Sequence, residues 1–471
     1  MKYQYDIIVI GLGPAGMAVS AMGSEMGLKV CAIENRAVGG ECMNIGCIPS
    51  KALLQIAKQR KMFTMLEDFE LAKVSMPEVL KPFEKIANDI KYINDKKTMG
   101  MFKKVDLIFR EGMAEFVNKN TIKVGEKVVT GRKIFIATGT KPAIPPIEGI
   151  DKIEGILTNE NIFNLEEVPE SMTILGGGAI GSEMAQAFAR LGTKITIVHM
   201  DAHLIPVGDS SAGLLLQEEF EKEGIEVLNG RLLKKAEQKD GKIHLWTDRD
   251  EELVSEKLLV AAGRKVDFSA LKLENAGVKY SNKGIGVNKH LRTNRKNIYA
   301  VGDCNGNFLL THAAMHQGML ALMNTMMPHG MKYNFRKFVV PWTVFTEPEV
   351  SRVGLQESQL DKMGKKYQII EAKYEDYGAA IAENLGIGSV KILVSKWGRV
   401  YGATIVGAGS GEMIGEWALV IQRKINLFRV MFLQHSFPTM SFLSKRVSEM
   451  WMMEKMKSNF LKRMIRFMFR F

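Results

Sequence analysis

The chain opens with a run of apolar residues that predicts a buried β-strand, followed at once by a glycine-rich turn. The segment YDIIVIGLGPAG, residues 5–16, is rich in β-branched residues and carries a G-x-G-x-x-G spacing at Gly11, Gly13 and Gly16. AVSAMGSEMG then predicts a helix, and LKVCAIE predicts a second strand that ends in Glu34. This order is typical of a dinucleotide-binding unit, in which the glycines admit a pyrophosphate and the acid binds a ribose hydroxyl.

The same pattern recurs further along the chain. SMTILGGGAIG carries Gly176, Gly178 and Gly181, and it is followed by a predicted helix, SEMAQAFARLG, and a predicted strand, TKITIVH. Aligned without a gap, Glu34 of the first unit corresponds to His199 of the second. Two such sites suggest two dinucleotides with electron transfer between them. The alternative is a duplicated α/β domain in which one site no longer binds.

Composition narrows the functional class. The chain has 471 residues, 46% of them apolar and 25% charged, which is ordinary for a globular protein of two to four domains. It has no uncharged apolar stretch of about 18 residues, and its first residues lack the features of a signal peptide, so we expect a cytoplasmic protein. The formal net charge is +12. We expect no nucleic-acid partner, since no basic stretch interleaves base-stacking aromatics.

Two of the four cysteines, Cys42 and Cys47, lie close together in GGECMNIGCIPSK. The C-x4-C spacing does not match common zinc pairs, and the other cysteines, Cys31 and Cys304, are remote, so we expect no metal site. A structural bridge closing so short a loop would add only about 2 kcal/mol. A dithiol that opens and closes during a reaction is the third interpretation. The spacing by itself does not decide between these last two.

The order of the segments along the chain resembles a known family. After the first unit come GGECMNIGCIPSK (residues 39–51) and IFIATGTKP (134–142), then the second unit, then NIYAVGDCNG (297–306). This order is similar to that of the class I pyridine-nucleotide disulfide oxidoreductases, which include lipoamide dehydrogenase, glutathione reductase and mercuric reductase. The likeness extends from residue 4 to about residue 445.

The resemblance implies roles for the dithiol and its neighbours. Cys42 and Cys47 correspond to the redox-active pair, with Cys47 against the flavin and Cys42 attacking the substrate disulfide. Both are expected to start a helix, where unpaired N–H groups favour a thiolate. Lys51 adds positive charge near the flavin, and Glu183 corresponds to its salt-bridge partner.

The resemblance also implies FAD and a nicotinamide dinucleotide as cofactors, with two sets of binding residues. The FAD set is Gly11, Gly13, Gly16, Glu34, Gly40, Lys51, Ala114, Thr138, Gly139, Asp303 and Ala313. The NAD(P) set is Gly176, Gly178, Gly181, Glu183, His199, Gly263 and Arg264. Beside Ala313, His312 is interpreted either as a flavin neighbour or as a packing residue.

The implied fold is α/β, with two Rossmann-type dinucleotide-binding domains, for FAD and NAD(P), and a C-terminal α+β dimerisation domain. The expected boundaries are 1–150 for the first part of the FAD domain with the dithiol, 151–270 for the NAD(P) domain, 271–340 for the second, central part of the FAD domain, 341–450 for the dimerisation domain and 451–471 for a basic amphipathic tail. Residues 62–101 are predicted to be a helical scaffold.

The sequence departs from the family pattern in the dimerisation domain. Where lipoamide dehydrogenase and glutathione reductase carry H-P-T-x-x-E, this chain has Phe437 and Phe442 in place of the histidine and the glutamate. Phenylalanine cannot transfer a proton, and a general base typically contributes roughly 10²–10⁴-fold in rate. His435 lies two positions earlier, and we interpret it as a packing residue. Mercuric reductase has a C-terminal cysteine pair, whereas no cysteine follows Cys304 here.

The second glycine unit favours NADH over NADPH. His199 stands at the position where an acid selects NAD(H), and the segment HMDAHLIPVGD contains no arginine to bind a 2′-phosphate. Asp201 would repel that phosphate.

These observations lead to three functional hypotheses. The first is a homodimeric FAD enzyme that passes electrons from NAD(P)H through Cys42 and Cys47 to a sulfur-containing or other soft acceptor. The second is a dihydrolipoamide dehydrogenase with a substitute base. The third is a reductase of quinone or metal at the membrane surface.

The tail bears on the third hypothesis. In WMMEKMKSNFLKRMIRFMFRF, basic residues outnumber acids, and Leu461, Met464, Ile465 and Met468 would form one apolar stripe of a helix. This pattern predicts that residues 455–471 bind an anionic membrane surface, at the inner face of the membrane. A terminal helix packed on the dimerisation domain is the alternative.

Overall fold

The computed structural model describes residues 3–470, apart from the side chain of Lys97. Met1, Lys2 and Phe471, which belong to the predicted first domain and tail, lie outside the described residues.

The first part of the chain builds a large mixed sheet. Its elements are β1 (Tyr5–Ile10), α1 (Pro14–Glu25), β2 (Val30–Glu34), α2 (Gly40–Asn44), α3 (Cys47–Met62), α4 (Pro82–Ile93), β3 (Asp106–Phe109), β4 (Ala114–Asn118), β5 (Thr121–Val124), β6 (Lys127–Ile136) and β7 (Lys141–Pro142). The strand order is β3-β2-β1-β6-β5-β4. The strands β3, β2, β1 and β6 are parallel, whereas β4, β5 and the first half of β6 form an antiparallel meander.

Residues 62–101 are not one helical scaffold, which corrects the sequence prediction. A regular helix is present only in α4, and residues 71–81 form no regular element. Pro77 and Pro82 explain the break, since proline lacks the N–H that a helix interior needs. Pro82 instead begins α4.

The middle of the chain forms a smaller parallel sheet and a three-stranded antiparallel sheet. The elements are β8 (Ser171–Leu175), α5 (Ala179–Leu191), β9 (Lys194–His199), α6 (Ser210–Lys222), β10 (Glu226–Asn229), β11 (Leu233–Lys239), β12 (Lys242–Thr247), β13 (Glu252–Ser255), β14 (Lys257–Val260) and β15 (Arg264–Lys265). The parallel sheet has the order β10-β9-β8-β14. The chain then returns to the first sheet.

The returning segment completes the first sheet. It contains β16 (Tyr280–Ser281), β17 (Gly284–Ile285), β18 (Ile298–Ala300) and α7 (Thr311–Met326). β18 pairs in parallel with β6, with Tyr299 opposite Phe135. Helices α1 and α7 pack against each other, and their apolar residues share a core with the sheet.

The C-terminal part is a five-stranded antiparallel sheet covered by helices. Its elements are β19 (Trp342–Val344), β20 (Val350–Gly354), α8 (Glu357–Lys362), β21 (Gln368–Lys373), α9 (Gly378–Ala382), β22 (Ser389–Val394), β23 (Val400–Val406), α10 (Ser410–Gln422), α11 (Leu427–Met431), α12 (Phe442–Met456) and α13 (Asn459–Met468). Its strand order is β19-β20-β23-β22-β21. The predicted α/β class with two dinucleotide-binding folds and a C-terminal α+β domain is confirmed.

Candidate functional site

The first glycine-rich turn joins β1 to α1 at the carboxyl edge of the large sheet. Gly11 has a φ of +94°, and a Cβ there would lie 2.5 Å from the carbonyl oxygen of Ala137. Gly13 caps the amino terminus of α1, and a Cβ on Gly40 would lie 2.7 Å from the Gly13 Cα. Gly16 packs against Gly11. The turn therefore depends on the absence of side chains, as close approach of a pyrophosphate requires.

The second turn repeats this construction between β8 and α5. Gly176 has a φ of +115°, and a Cβ there would lie 2.5 Å from the carbonyl oxygen of Ala261. Gly181 packs against Gly176 as Gly16 does against Gly11. Around Gly178, which caps α5, no atom would lie within 4 Å of an added Cβ. The second turn thus faces open space at the amino terminus of a helix, where a phosphate can approach.

Glu34 and His199 hold equivalent places in the two units. A carboxylate oxygen of Glu34 accepts a hydrogen bond from the Leu12 N–H at 2.8 Å. The His199 Nδ1 accepts one from the Gly177 N–H at 3.1 Å, and its Nε2 lies 3.1 Å from the carbonyl oxygen of His203. Nε2 must donate there, so the neutral ring uses both nitrogens within the protein. Burial lowers the pKa of His199, which favours this neutral form.

The other predicted FAD residues lie along the sheet edge and beside α7. Thr138 and Gly139 directly follow β6, and Asp303 begins the turn after β18. Ala313 lies in the first turn of α7, and Ala114 begins β4 in the antiparallel part of the sheet. The segments that carry Thr138 and Asp303 thus adjoin the first glycine turn, since an added Cβ on Gly11 would lie 3.3 Å from the Thr138 Cα and one on Gly302 would lie 3.2 Å from the Ala15 Cβ.

Two acidic side chains near this edge, Asp303 and Glu41, can accept hydrogen bonds from the hydroxyl groups of a cofactor such as FAD. Burial raises the pKa of Asp303 to about 6, against the opposing effect of Arg264. The Oε1 atom of Glu41 is buried and has no hydrogen-bond partner. A buried acceptor without a donor is costly unless a ligand or water supplies one.

Cys42 and Cys47 lie on two helices rather than at the start of one, which corrects the sequence expectation. Cys42 is in the short helix α2, whereas Cys47 is the first residue of α3, with Gly46 as its cap. The compact turn through Gly46 separates them, because a Cβ on Gly46 would lie only 3.0 Å from the Glu41 carbonyl oxygen. All four cysteines are free thiols, and only Cys42 and Cys47 are less than fully buried.

The two thiols differ in their ionisation. A hydrogen bond from Cys42, together with those from Thr311 and the charge of Lys51, lowers the pKa of Cys47 against the opposing effect of burial. The Cys47 Sγ lies 3.3 Å from the Thr311 Oγ1. The same hydrogen bond to Cys47, together with burial, raises the pKa of Cys42. The reduced pair therefore holds a thiolate at Cys47 and a thiol at Cys42.

Lys51, one turn along α3, forms an ion pair with Glu183. Its Nζ lies 2.7 and 3.0 Å from the two carboxylate oxygens. Glu183, with a side chain only 6% exposed, also accepts a hydrogen bond of 3.0 Å from the Phe345 N–H. The Lys51 Nζ lies 4.5 Å from the centre of the Phe345 ring. Packing of α3 on α5 brings the two helices together, through Leu53 and neighbouring core residues.

Arg264, predicted to bind NAD(P), contacts α2, the short helix that carries Cys42. Its guanidinium pairs with Glu41, and its Nε donates to the Thr140 Oγ1 at 2.6 Å. Gly263 has a φ of +139°, which lets the chain turn there. The sequence reasoning missed Glu41 and Thr140. It missed Thr311 as well, although that residue directly precedes His312 in the segment already selected.

The residues that replace the family's proton-transfer pair form an apolar cluster. The rings of Phe437 and Phe442 lie 5.4 Å apart, and Phe442 stacks on Tyr377 at 6.0 Å. Phe437 is 72% exposed in the single chain. Neither ring has a group that can accept or donate a proton.

Two histidines that the sequence analysis considered, His435 and His312, are engaged within the protein. The His435 Nε2 lies 3.2 Å from both carboxylate oxygens of Glu416, and its Nδ1 is buried without a partner. The His312 Nε2 lies 2.7 Å from the Pro341 carbonyl oxygen and donates to it.

Within residues 3–470, no group of three or more His, Cys, Asp or Glu side chains is placed to hold a metal ion. In the same part of the chain, no helix is long and apolar enough to cross a membrane.

Family models match most of the chain. Residues 5–318 match the model described as pyridine nucleotide-disulphide oxidoreductase, and residues 340–446 match the dimerisation domain of the same name. The chain is 33% identical to a dihydrolipoyl dehydrogenase of Thermus scotoductus, over 93% of this chain and 95% of that protein. It is 29% identical to a mercuric reductase of Staphylococcus aureus, over 89% of this chain and 77% of that protein.

Solved structures of similar fold include a flavoprotein disulfide reductase, in agreement with the family models. The HOCl-induced flavoprotein disulfide reductase RclA of Escherichia coli superposes with a TM-score of 0.84 at 26% identity, covering 95% of this chain and 99% of that one. The Cu(II) complex of a cysteine-to-serine variant of RclA superposes with a TM-score of 0.86, with the same coverage.

Proposed function

This chain belongs to the pyridine nucleotide-disulphide oxidoreductase family, and from this premise we propose that Cys42 and Cys47 deliver electrons from NADH to a thiophilic acceptor, with Cu(II) as the preferred one. The enzyme is an FAD-dependent NAD(P)H oxidoreductase of the disulfide reductase type. FAD, when bound, supplies the chemistry that connects reduced nicotinamide to the dithiol. The FAD and NAD(P) sets of residues identified from the sequence would hold these cofactors.

The unequal ionisation of the two thiols is the observation that carries this proposal. The hydrogen bond from Cys42, together with Thr311 and the charge of Lys51, keeps Cys47 as a thiolate, and Cys42 retains its proton. With a disulfide substrate, Cys42 would bond to one substrate sulfur and its proton would go to the other, which leaves as a thiol. The Cys47 thiolate would then bond to the Cys42 sulfur and displace the first substrate sulfur as a thiolate, which restores the Cys42–Cys47 bond. With a metal, oxidation of the Cys47 thiolate and the Cys42 thiol to a disulfide releases two electrons and one proton, and two Cu(II) ions become two Cu(I) ions.

A soft metal acceptor agrees with both the site and the comparisons. Thiolates are preferred ligands of Cu(I), and metal reduction needs no histidine base, which suits the presence of Phe437 and Phe442. The structural neighbour RclA has been solved as a Cu(II) complex. The mercuric reductase similarity supports the same class of acceptor.

The test is NADH oxidation by the purified FAD-loaded protein with Cu(II), lipoamide or glutathione disulfide as acceptor. We expect Cu(I) to form with Cu(II), and Cys42→Ser to lose most of this rate. Cys31→Ala, which removes a buried thiol far from the pair, is the matched control and should keep it. Undiminished Cu(I) formation in Cys42→Ser would show that the dithiol is not the electron donor.

For the nicotinamide, we infer NADH. The His199 ring is neutral and buried, and residues 199–209 contain no arginine for a 2′-phosphate. Asp201 lies beside the ring, 3.5 Å from Nε2, and would repel that phosphate. These features support NADH binding at the second glycine turn.

A second candidate function, dihydrolipoamide oxidation, is favoured by one observation, the His435–Glu416 pair. A histidine oriented by a carboxylate is the usual general base, and this pair lies in the same loop region as Phe437. If it served as the base, His435→Gln would lower dihydrolipoamide oxidation by roughly 10²–10⁴-fold. We expect instead that the wild type is already slow with dihydrolipoamide, and that Phe437→His with Phe442→Glu raises the rate.

We further propose that the tail holds the cytoplasmic enzyme at an anionic membrane surface. Helix α13 buries none of its residues, which argues against a packed terminal helix. Arg463, Arg466 and Lys462 give it positive charge, while Phe460 and Met468 are exposed apolar side chains. Each basic group near an anionic leaflet contributes about 1 kcal/mol.

Deletion of residues 455–471 tests this interaction. We expect the full-length protein to float with vesicles containing phosphatidylserine at low salt and the deletion variant to stay in solution with an unchanged thermal midpoint. Vesicles of phosphatidylcholine alone are the control. A full-length protein that ignores the anionic vesicles would contradict the anchor, and a lowered midpoint on deletion would indicate a packed tail.

A further inference from the structure

A small cavity lies on the first domain, away from both glycine turns. It has a volume of about 40 Å³ and lies between β18, the end of α7, residues 288–292 and residues 329–332. Asn324, in the last turns of α7, and Tyr299, in β18, form part of its wall. Thr311, the partner of Cys47, begins α7 thirteen residues earlier, so the cavity is about 20 Å from the dithiol along the helix.

The charged side chains at this cavity are all cationic. Arg292 and Lys332 line it together with His290 and His329. Within residues 3–470, neither Arg292 nor Lys332 forms an ion pair, and their side chains make no hydrogen bond. Lys133 lies close enough that both of these cations, after burial, lower its pKa. Several positive charges therefore converge without a carboxylate to balance them, which is unfavourable unless an anion is bound.

Tyr299, a largely buried tyrosine that lines the cavity, completes it. Tyr299 is only 2% exposed, and its ring stacks on Phe135 with centroids 5.1 Å apart. Its hydroxyl has no hydrogen-bond partner in the part of the chain that the structure describes. Arg292 lies close enough to oppose the effect of burial on the pKa of this hydroxyl. A buried tyrosine hydroxyl usually finds a partner, and here the cavity is the space from which one can reach it.

His290, on one wall of the cavity, is oriented by a hydrogen bond that leaves its second ring nitrogen available to a ligand. The His290 Nδ1 lies 3.0 Å from the Tyr333 carbonyl oxygen and donates to it, which leaves Nε2 without a partner. Asn324 binds the same residue through its side chain, so the wall is held in place. Arg292, two residues from His290, and Lys332, next to Tyr333, therefore extend from backbone that these hydrogen bonds hold in place.

We propose that this cavity, which we call the Arg292 pocket, binds a phosphate-type oxyanion. Its volume exceeds the roughly 10–15 Å³ that one water requires, so an oxyanion can enter but a nucleotide base cannot. Arg292 supplies paired N–H donors and Lys332 a point charge, and the Tyr299 O–H adds a neutral donor. The shared chemistry is that of inorganic phosphate or the phosphoryl end of a small monoester.

The experiment is calorimetric titration of the full-length, FAD-loaded protein with inorganic phosphate at constant ionic strength. NAD⁺ is present throughout, so that the second glycine turn is occupied. We expect one phosphate per chain, loss of binding in Arg292→Gln and in Lys332→Gln, and a roughly tenfold weaker affinity in Tyr299→Phe, which removes one hydrogen bond to a charged group. Lys239→Gln, an exposed lysine on β11, is the control and should bind as the wild type does.

A second titration with glycerol phosphate distinguishes the two sources of the anion. If glycerol phosphate displaces inorganic phosphate from the wild type, and this displacement is lost in Arg292→Gln, the pocket binds a monoester. If glycerol phosphate does not displace inorganic phosphate, the pocket binds the free ion. Absence of phosphate binding to the wild type would overturn the proposal. Equal binding by wild type, Arg292→Gln and Tyr299→Phe would also overturn it, because the phosphate would then bind elsewhere.

Discussion

Single side chains decide how the two thiols divide their roles. The Cys47 thiolate has three stabilising neighbours, in the order Cys42, Thr311 and Lys51, and burial opposes them. Glu183 acts against the thiolate, yet it orients Lys51 through a two-oxygen ion pair. The ion pair thus keeps the positive charge of Lys51 close to Cys47, although the Glu183 carboxylate neutralises part of that charge.

Replacement of Lys51 should make the thiolate harder to form. In the reduced protein, Lys51→Met should raise the pKa of Cys47 and so reduce the thiolate fraction at pH 7 by roughly threefold to tenfold. The measurement is the pH dependence of the long-wavelength thiolate–flavin absorption. Lys61→Met, on the same helix but without an ion pair among the described residues, should leave the titration unchanged. An unchanged titration in Lys51→Met would show that its charge does not reach Cys47.

Asp303 should make FAD affinity depend on pH. Burial raises its pKa to about 6, and an ionised carboxylate is the better acceptor for a hydroxyl. FAD therefore favours the ionised form, so its affinity should be constant above pH 7 and should fall as pH decreases through about 6. Asp303→Asn should bind FAD more weakly and lose this pH dependence. Flavin fluorescence after dilution at pH 5 and pH 8 measures both effects, and an unchanged profile in the variant would contradict the assignment.

At the scale of elements, the two glycine units show what the sequence could and could not reveal. The strands, turns and helices of both units follow from apolar runs and glycine spacing, and Cys42, Cys47, Lys51 and Glu183 converge as the family pattern implies. The break between α2 and α3 was not predictable, because it depends on how the turn at Gly46 packs. From distant segments, Thr311 reaches Cys47 and Arg264 reaches Glu41, the residue before Cys42, which residue spacing cannot indicate.

His199 shows the same limit and leads to a prediction. The sequence assigns it to the ribose, but its ring nitrogens bind the Gly177 N–H and the His203 carbonyl. A glutamate could still accept from that N–H with one carboxylate oxygen and would have the other for the ribose. His199→Glu should therefore increase the ratio of kcat/KM for NADH over NADPH several-fold. A wild-type preference for NADPH would contradict this interpretation.

At the scale of the whole molecule, the dimerisation domain indicates a homodimer. Phe428 and Phe432 form an edge-to-face pair with centroids 4.9 Å apart, and Phe432, Leu433 and Phe437 are more than half exposed in the single chain. An exposed apolar patch of this kind is typical of an interface. The interface would cover the loop that carries the substituted phenylalanines.

A charge placed in this patch should separate the subunits. Phe432→Asp should shift the protein from dimer to monomer, measured by light scattering after size-exclusion chromatography. Phe460→Asp, an equally apolar and exposed change in the tail, should leave the dimer intact. A Phe432→Asp protein that remains a dimer would exclude this patch from the interface.

The central claim, that Cys42 and Cys47 are the working dithiol with Cys47 as the thiolate, is tested most directly by anaerobic titration with NADH. The wild type should develop a long-wavelength thiolate–flavin band on two-electron reduction. Cys47→Ser should never show the band, whereas Cys42→Ser should show it before any NADH is added. A wild-type protein without this band at any stage of reduction would contradict the claim.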